Sequence, residues 1–367
     1  MGKDLRTKRL EWIDTAKVLT MFLVIIGHCN YYRIATPFGG IYYVNQSYES
    51  SIVYNFLTWI ITFIYSFHMP LFMALSGMCF TFTRNELLSL RSLIKNKAIR
   101  LLLPFIAVSI LLSIPLKYFT GYWDSSSNIL SDVVCGQLLL MGNSHLWFVV
   151  SLFWIFLLFY YIEKKHISGK MLWSGLLIVS WVGFYIDAKC NFLGLPGAMK
   201  HLLFFTIGYH SLQWLNNYQS SDSKRLSLYF AVMFFVIGAY GFMLRYYSHI
   251  LILKLLKPIL FIVFALSGIF LFCILSKYIQ SKLQTKEKWL SIFKRNTYEL
   301  YLYSDPFNYL IIALCWDVLN SHILIDNKFS LLVFLLRFVG TTFMAFVLIK
   351  IVAFLKIKRI TQLLKLQ

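Results

Sequence analysis

Ten long apolar stretches, separated by short polar segments, constrain this chain more than any other feature of its sequence. A helix of roughly 20 mostly apolar residues is long enough to cross the hydrocarbon core of a membrane. Because unpaired backbone groups are costly in lipid, each stretch is expected to be helical. We therefore predict an all-α fold, a polytopic transmembrane bundle of about ten helices. The stretches lie near residues 12–32, 52–82, 99–118, 146–163, 171–187, 200–216, 227–246, 257–276, 297–316 and 329–354.

The composition favours a single membrane domain over a soluble protein. Hydrophobic residues make up 59% of the 367 residues and charged residues 14%, against about 25% charged in soluble domains. The net charge of +20 does not indicate nucleic-acid binding, because the basic residues lie in short blocks between apolar stretches. The six cysteines form no CxxC pair and indicate neither a disulfide framework nor a metal site. We predict one integral membrane domain over residues 1–367, with no metal and no nucleic-acid partner.

The distribution of basic residues predicts the orientation of the chain. With the N-terminus in the cytoplasm, Lys and Arg residues in cytoplasmic segments outnumber those in outer segments by three to one. Such a bias fixes orientation, and it places both termini in the cytoplasm. The largest outer loops, about 33–51 and 119–145, are rich in Gly, Ser, Asn and Tyr and poor in charge. Such loops are suited to bind a sugar or another uncharged polar ligand, but the same composition would also occur in loops that bind no ligand. Pro70 favours a kink in the long second stretch.

The first apolar stretch contains three ionisable residues, Asp14, Lys17 and His28. At 100° per residue they share one face of a helix, and Lys17 and His28 lie roughly 16 Å apart along its axis. Ionisable residues in a membrane span usually face the bundle interior or a water-filled path. We expect Lys17 near the cytoplasm and His28 in the outer half. Two simpler interpretations stay open: an interfacial ion pair between Asp14 and Lys17, and a structural hydrogen bond from His28.

Five motifs follow one another along the chain. The first helix carries WID-x-x-K-V-x(8)-G-H, in which ten residues separate a basic residue from a His. The others are FHMPLFMALSGMCF (67–80), KNKAIRLLLPF (95–105), HLWFVVSLF (145–153) and NTYELYLYSDPFNYL (296–310). In this order they resemble the motifs of the bacterial membrane acyltransferase family 3, the polysaccharide O-acyltransferase type. Lys97 replaces an Arg of the family pattern, and Ser304 stands where the family usually has His. No opening of an SGNH esterase-like domain follows, so the resemblance is to a stand-alone membrane domain.

The resemblance implies a membrane-embedded O-acyltransferase. Such enzymes move an acyl group, usually acetyl, from cytoplasmic acyl-CoA to a hydroxyl of a surface polysaccharide or its lipid-linked sugar precursor. The expected location is the bacterial cytoplasmic membrane, crossed several times and in contact with its lipids. His28 matches the family's essential His, which can act as a general base or as a covalent acyl carrier. Acyl-CoA would be a co-substrate, held by Lys17, Lys97 and Arg100.

Several further residues are candidates for the acceptor pocket: Asp14, His68, His145, Trp147 and Asp305. Each has a structural alternative. His68 can bond a carbonyl freed near Pro70, Trp147 can be an interfacial anchor, and Asp305 can pair with a basic residue such as Arg337. Lys97 and Arg100 can be ordinary positive-inside residues. Ser304 in place of the usual His indicates that donor, acceptor or regulation differs from better-known members.

Two other functions compete with acyl transfer. The same polar stripe would serve an exporter of a lipid-linked sugar, a glycan or an acyl carrier, or a subunit of a surface-glycan synthase whose chemistry lies elsewhere. An exporter would tolerate His28→Gln while needing its charged residues. Acyl transfer requires the imidazole itself.

Overall fold

The apolar stretches of the sequence fold into helices in the computed structural model, which describes residues 10–43, 52–84, 89–217, 223–246, 250–282, 288–319 and 329–364. Helices satisfy their own backbone hydrogen bonds, which lipid cannot do for them. The long helices are α1 (Glu11–Gly27), α2 (Ile52–Tyr65), α3 (His68–Thr83), α4 (Leu90–Phe119), α5 (Trp147–Lys164), α6 (Gly169–Asp187), α7 (Leu195–Asn217), α8 (Ser223–Tyr246), α9 (Leu251–Lys282), α10 (Lys288–Leu319) and α11 (Ser330–Leu364). The fold is thus an all-α polytopic bundle.

Seven helical segments in the described part of the chain are long and apolar enough to cross a membrane. They comprise α1, the α2–α3 pair, α4, α5, α6, α9 and α11. The other three predicted spans are also helical, as α7, α8 and α10, but they fall below that length or hydropathy. In α7 and α10 the cause is polar residues such as Lys200, His201 and Asp305, which face the protein interior. Ten crossings, with both termini in the cytoplasm, stay a prediction.

The long second span breaks where the sequence predicts a kink. Helix α2 ends at Tyr65 and α3 begins at His68, which places Pro70 in the first turn of α3, where its missing N–H costs no helical hydrogen bond. The His68 Nδ1 atom lies 2.9 Å from the carbonyl oxygen of Ile64, at the end of α2. The same carbonyl accepts from the Phe67 N–H at 3.2 Å, so the His68 ring adds a second contact at the break.

Helix α3 lies in the centre of the bundle and packs against α1, α7 and α9. Its contact with α7 depends on two glycines, Gly77 and Gly208. A Cβ atom at Gly77 would overlap the carbonyl of Phe205, and one at Gly208 would overlap the carbonyl of Ala74. Small residues let membrane helices approach backbone to backbone, so that van der Waals packing can replace the hydrophobic effect.

The two predicted outer loops pack on each other at the His28 end of α1. Loop 33–51 contains an antiparallel hairpin, β1 (Arg33–Thr36) and β2 (Gly39–Tyr42), which the sequence analysis did not predict. The Gly40 N–H donates to the carbonyl of Tyr122 at 2.9 Å, and the indole of Trp123 donates to the carbonyl of Phe38 at 3.0 Å. Loop 119–145 adds the short helix Ile129–Leu138.

The α3–α7 packing predicts opposite effects for two Gly→Ala substitutions. Gly175 in α6 has nothing within 4 Å of a Cβ position, so Gly175→Ala should gain about 1 kcal/mol of helix propensity. Gly77→Ala should lower stability despite the same gain, because the helices must separate. Thermal unfolding midpoints of the purified variants in one detergent measure both. Equal midpoints for the two variants would contradict the close α3–α7 contact.

Candidate active site

Four of the predicted site residues, His28, His68, His145 and Trp147, line one cavity of about 340 Å³. His28 reaches the cavity from the 3₁₀ turn that follows α1, and His68 from the first residue of α3. His145 and Trp147 come from the segment that leads into α5. Further lining residues are Tyr65, Asn143, Asp187, Asn191, Lys200, His201 and Tyr301. The cavity lies at the end of α1 for which the charge distribution predicts the outer side of the membrane.

His28 is oriented by the carboxylate of Asp305. Its Nδ1 atom lies 3.0 Å from Asp305 Oδ1, and only 6% of the Asp305 side chain is exposed. A carboxylate accepts hydrogen bonds, so Nδ1 carries a hydrogen. His28 lines the cavity, and no partner for its other ring nitrogen, Nε2, occurs in the described residues. In a neutral ring fixed in this way, Nε2 is the nitrogen that can accept a proton or attack a carbonyl.

His145 is held through both of its ring nitrogens. Nδ1 lies 3.2 Å from Asp305 Oδ2, and Nε2 lies 3.1 Å from the carbonyl oxygen of Leu302. In a regular helix this carbonyl would accept from the residue four positions later, but that residue is Pro306, which has no N–H. Both acceptors are satisfied only when both nitrogens of His145 carry hydrogen.

The Asp305 carboxylate thus receives hydrogen bonds from three directions. The Tyr31 hydroxyl donates to Oδ1 at 3.2 Å, beside the contacts from His28 and His145. A carboxylate inside a membrane bundle needs such partners, because an unpaired charge there is very costly. The structural alternative that Asp305 pairs with a basic residue holds with His28 and His145 as its partners; within the described part of the chain no ion pair joins Asp305 to Arg337.

Arg337 instead binds backbone carbonyls at the end of α1. Its guanidinium donates to the carbonyls of His28 (2.9 Å) and Tyr31 (2.7 Å) and to Asn308 Oδ1 (3.1 Å), and the side chain is fully buried. The last carbonyls of a helix have no partner within the helix and carry partial negative charge. Arg337 satisfies them and fixes the turn from which His28 and Tyr31 project.

Lys117, which the topology places in an outer segment, is buried rather than exposed. Its ammonium donates to Gln137 Oε1 at 3.0 Å and to the carbonyl of Asn143. Gln137 donates in turn to Ser144 Oγ at 2.9 Å. The predicted outer loop is therefore fixed from inside, immediately before His145.

The predicted donor residues gather at the other end of α1, away from the cavity. The Lys17 ammonium lies 3.5 Å from Asp14, as the ion-pair interpretation expected, and is close enough to Cys79 to interact with it. Lys97 lies over the ring of Phe156, 3.6 Å from its centroid, and is close enough to Cys79 and Arg100 to interact electrostatically. The structure thus brings Lys17, Lys97 and Arg100 into one region. Asp14 belongs to this region and not to the cavity.

The comparison with known families decides the class of this protein. The acyltransferase domain family called acyltransferase 3 matches residues 10–352, nearly the whole chain. The chain belongs to this family. The family is one of acyltransferase domains, and the apolar helices make the chain a multi-pass membrane protein.

Part of the chain is also similar to part of a much longer protein. The amino-acid racemase of Enterococcus faecalis is 27% identical over 137 residues, which are 36% of this chain and 17% of that protein. The chain therefore spans only a small part of the length of the racemase. No solved structure matches the chain.

The structure adds residues that the motifs did not identify as part of the site. Tyr31 bonds Asp305, Arg337 fixes the His28 turn, and Asp187, Lys200 and His201 line the cavity. Their signal in the sequence was the presence of charged or polar groups in or beside apolar stretches. Among the described residues, no group of three or more His, Cys, Asp and Glu side chains is arranged to hold a metal ion.

The contacts of Arg337 predict a large loss of stability when its charge is removed. Arg337→Met keeps much of the volume but leaves the carbonyls of His28 and Tyr31 without partners, at a cost of ~3 kcal/mol. The unfolding midpoint in detergent should fall well below that of the wild type. Arg33→Met, at an exposed position of the hairpin, is the matched control and should leave the midpoint unchanged. An unchanged midpoint for Arg337→Met would contradict the role of Arg337 in fixing the turn.

Proposed function

We propose that this enzyme moves an acyl group, acetyl in the simplest case, from cytoplasmic acyl-CoA to a hydroxyl of a surface polysaccharide or its lipid-linked sugar precursor. The membrane would be the bacterial cytoplasmic membrane, and the catalytic domain would comprise the whole chain. The observation that carries the proposal is the contact between His28 Nδ1 and Asp305 in a residue that lines the cavity, because this contact leaves Nε2 of the neutral ring free to act as a base or nucleophile. Acyl transfer to a hydroxyl requires such a base or nucleophile.

Two reaction routes use the same atoms. In direct transfer, Nε2 takes the proton of the acceptor hydroxyl while its oxygen attacks the thioester carbonyl. The C–S bond then breaks, and the imidazolium returns the proton to the CoA thiolate. In the covalent route, Nε2 attacks the carbonyl, the C–S bond breaks and CoA leaves as the thiolate, which gives an acyl-imidazolium. The acceptor hydroxyl then attacks the acyl carbon, the C–N bond breaks, and the proton of the hydroxyl ends on the CoA thiolate. In both routes Asp305 stabilises the positive charge that develops on the His28 ring.

The cytoplasmic end of α1 supports a site for the CoA phosphates. Lys17, Lys97 and Arg100 provide three cations in one region, and cations are suited to phosphate oxygens. Lys at positions 17 and 97 keeps the charge but lacks the two-pronged geometry of Arg. This region and His28 are roughly 16 Å apart along the helix axis. An extended pantetheine arm directed along α1 would carry the thioester towards His28.

The cavity residues support an acceptor site at the outer end. His68, His145 and Trp147 line the same cavity as His28, and the two outer loops pack beside it. Of these residues, His68 and His145 use ring nitrogens to bond backbone carbonyls, so their first role is to shape the cavity. Trp147 offers an aromatic surface, which is suited to the apolar face of a sugar ring.

Replacing His28 tests the proposed function in cells. Strains that carry the wild-type protein, His28→Ala or no protein are compared by mass spectrometry of their surface glycans. Only the wild type should add acyl mass, because Ala removes the nitrogen that activates the hydroxyl. The control is His166→Asn, at an exposed position outside the cavity, which should behave as the wild type. Membrane levels of each variant are measured by immunoblot.

Three outcomes contradict the proposal in different ways. Acyl mass from the His28→Ala strain would exclude the role of His28. An absence of acyl mass from the wild-type strain would exclude glycan acylation. Full function of His28→Gln in glycan export, without any acyl mass, would favour an exporter.

Replacing Asp305 tests the orientation of the imidazole. Asp305→Asn keeps the shape but offers an N–H in place of one acceptor oxygen, so the His28 ring loses the contact that fixes its tautomer. Acyl transfer should fall by about 10²-fold or more. The rate is measured as release of the CoA thiol by purified protein in nanodiscs. Asp317→Asn, at an exposed position of the same helix, is the control. A rate within about twofold of the wild type would exclude this role for Asp305.

A further inference from the structure

The cavity has a second group of charged residues apart from the Asp305 cluster. Asp187 ends α6 and Lys200 lies in the second turn of α7, and both line the cavity together with Asn191 and Trp147. The Lys200 ammonium lies 2.7 Å from Asp187 Oδ2, and 20% and 16% of the two side chains remain exposed. Neither the motifs nor the proposed reaction gives this pair a task.

A structural role alone does not explain well why Asp187 and Lys200 form an ion pair here. An ion pair within a membrane bundle loses hydration that its mutual attraction does not fully restore, and apolar residues of similar size would often be at least as stable. The Lys200 ammonium also lies over the rings of Phe184 and Phe261, 5.1 and 5.2 Å from their centroids. Ionisable residues that line a cavity among membrane helices usually serve a substrate or an ion.

The pair has hydrogen-bonding capacity left for a ligand. In the described part of the chain, its hydrogen bond uses one of three ammonium N–H groups and one of two carboxylate oxygens. The pair therefore presents a donor beside an acceptor, with no net charge. Asn191 accepts from the Gly197 N–H at 3.0 Å through Oδ1, which leaves its NH₂ group as a further donor.

Trp147 gives the same part of the cavity a flat apolar surface. Its ring lies 5.3 Å from the His201 ring, and Gly197 packs against its edge. His201 is fixed in turn by a contact of 2.8 Å between its Nδ1 and the Gly197 carbonyl. The indole is thus held in place before any ligand binds, which lowers the entropic cost of stacking.

From these contacts we propose that Asp187, Lys200 and Trp147 form the acceptor subsite, and that it selects an uncharged pyranose over an anionic one. The proposal rests on the proposed function. Adjacent ring hydroxyls donate to the Asp187 carboxylate and accept from the Lys200 ammonium, while the ring face lies on Trp147. A neighbouring hydroxyl is then directed to His28 Nε2. A uronate or phosphate would bring a negative charge that the neutral pair does not balance and that Asp187 repels.

The test compares two acceptors that differ in one group. Purified protein in nanodiscs receives acetyl-CoA with methyl β-D-glucopyranoside or with methyl β-D-glucuronide, and mass spectrometry measures the acetylated glycoside. The wild type should prefer the glucoside by at least tenfold in kcat/KM. Asp187→Asn and Lys200→Gln should each raise KM for the glucoside at least tenfold. Asp187→Asn should also reduce the preference against the glucuronide, because it removes the repulsion and leaves the ammonium available.

Two further variants separate binding from folding. Lys200→Arg keeps the charge and should retain more glucoside transfer than Lys200→Gln. Lys189→Gln alters an exposed lysine in the turn after α6 and should change neither KM nor the preference. Equal use of the two glycosides by the wild type, or an unchanged KM in both Asp187→Asn and Lys200→Gln, would overturn the subsite. Release of CoA without transfer to either glycoside would overturn the subsite but leave acyl-CoA chemistry in place, whereas no release of CoA at all would overturn the proposed function.

Discussion

The Asp305 carboxylate, buried among His28, His145 and Tyr31, is the interaction on which the arrangement of the site depends. A negative charge at this depth is tolerated only with several donors around it, and those donors come from two separated parts of the chain, the end of α1 and the loop before α5. The requirement therefore holds the end of α1, the loop before α5 and the middle of α10 together. Two buried cations, Arg337 and Lys117, bind the segments that carry these donors.

Those two cations stabilise backbone rather than carboxylates. Arg337 binds the carbonyls at the end of α1, and Lys117 binds the loop before His145. Each holds an irregular segment in place, and that segment carries an imidazole ring: His28 for Arg337 and His145 for Lys117. Because catalytic geometry tolerates little displacement, such supports matter as much as the reacting group. The helix bundle thus supplies rigidity where loops alone would not.

The sequence predicted more of the fold than of the site. Apolar length was enough to predict helices, and Pro70 was enough to predict the break between α2 and α3. The hairpin at residues 33–42 was missed because two strands of four residues leave no clear alternation. Helices α7 and α10 are less apolar than ordinary spans because they face the polar cavity.

Within the site, single residues were predictable and their contacts were not. His28 and Asp305 each stood out as ionisable residues in apolar stretches, but nothing local in the sequence joins positions so far apart. The partners of Arg337 are mainly backbone carbonyls, which leave no pattern of residue types. Ser304 is buried next to Asp305 in the chain, and the second imidazole at the Asp305 carboxylate comes from His145.

Pro306 gives helix α10 two opposing requirements. A residue with an N–H at this position would close the helical hydrogen bond to Leu302 and make the helix more regular. It would also compete with His145 for the same carbonyl, and so loosen the loop that carries His145. The most stable helix and the best-held imidazole therefore require different residues at one position. An irregularity in the backbone of one helix has become the attachment point for a loop from another part of the chain.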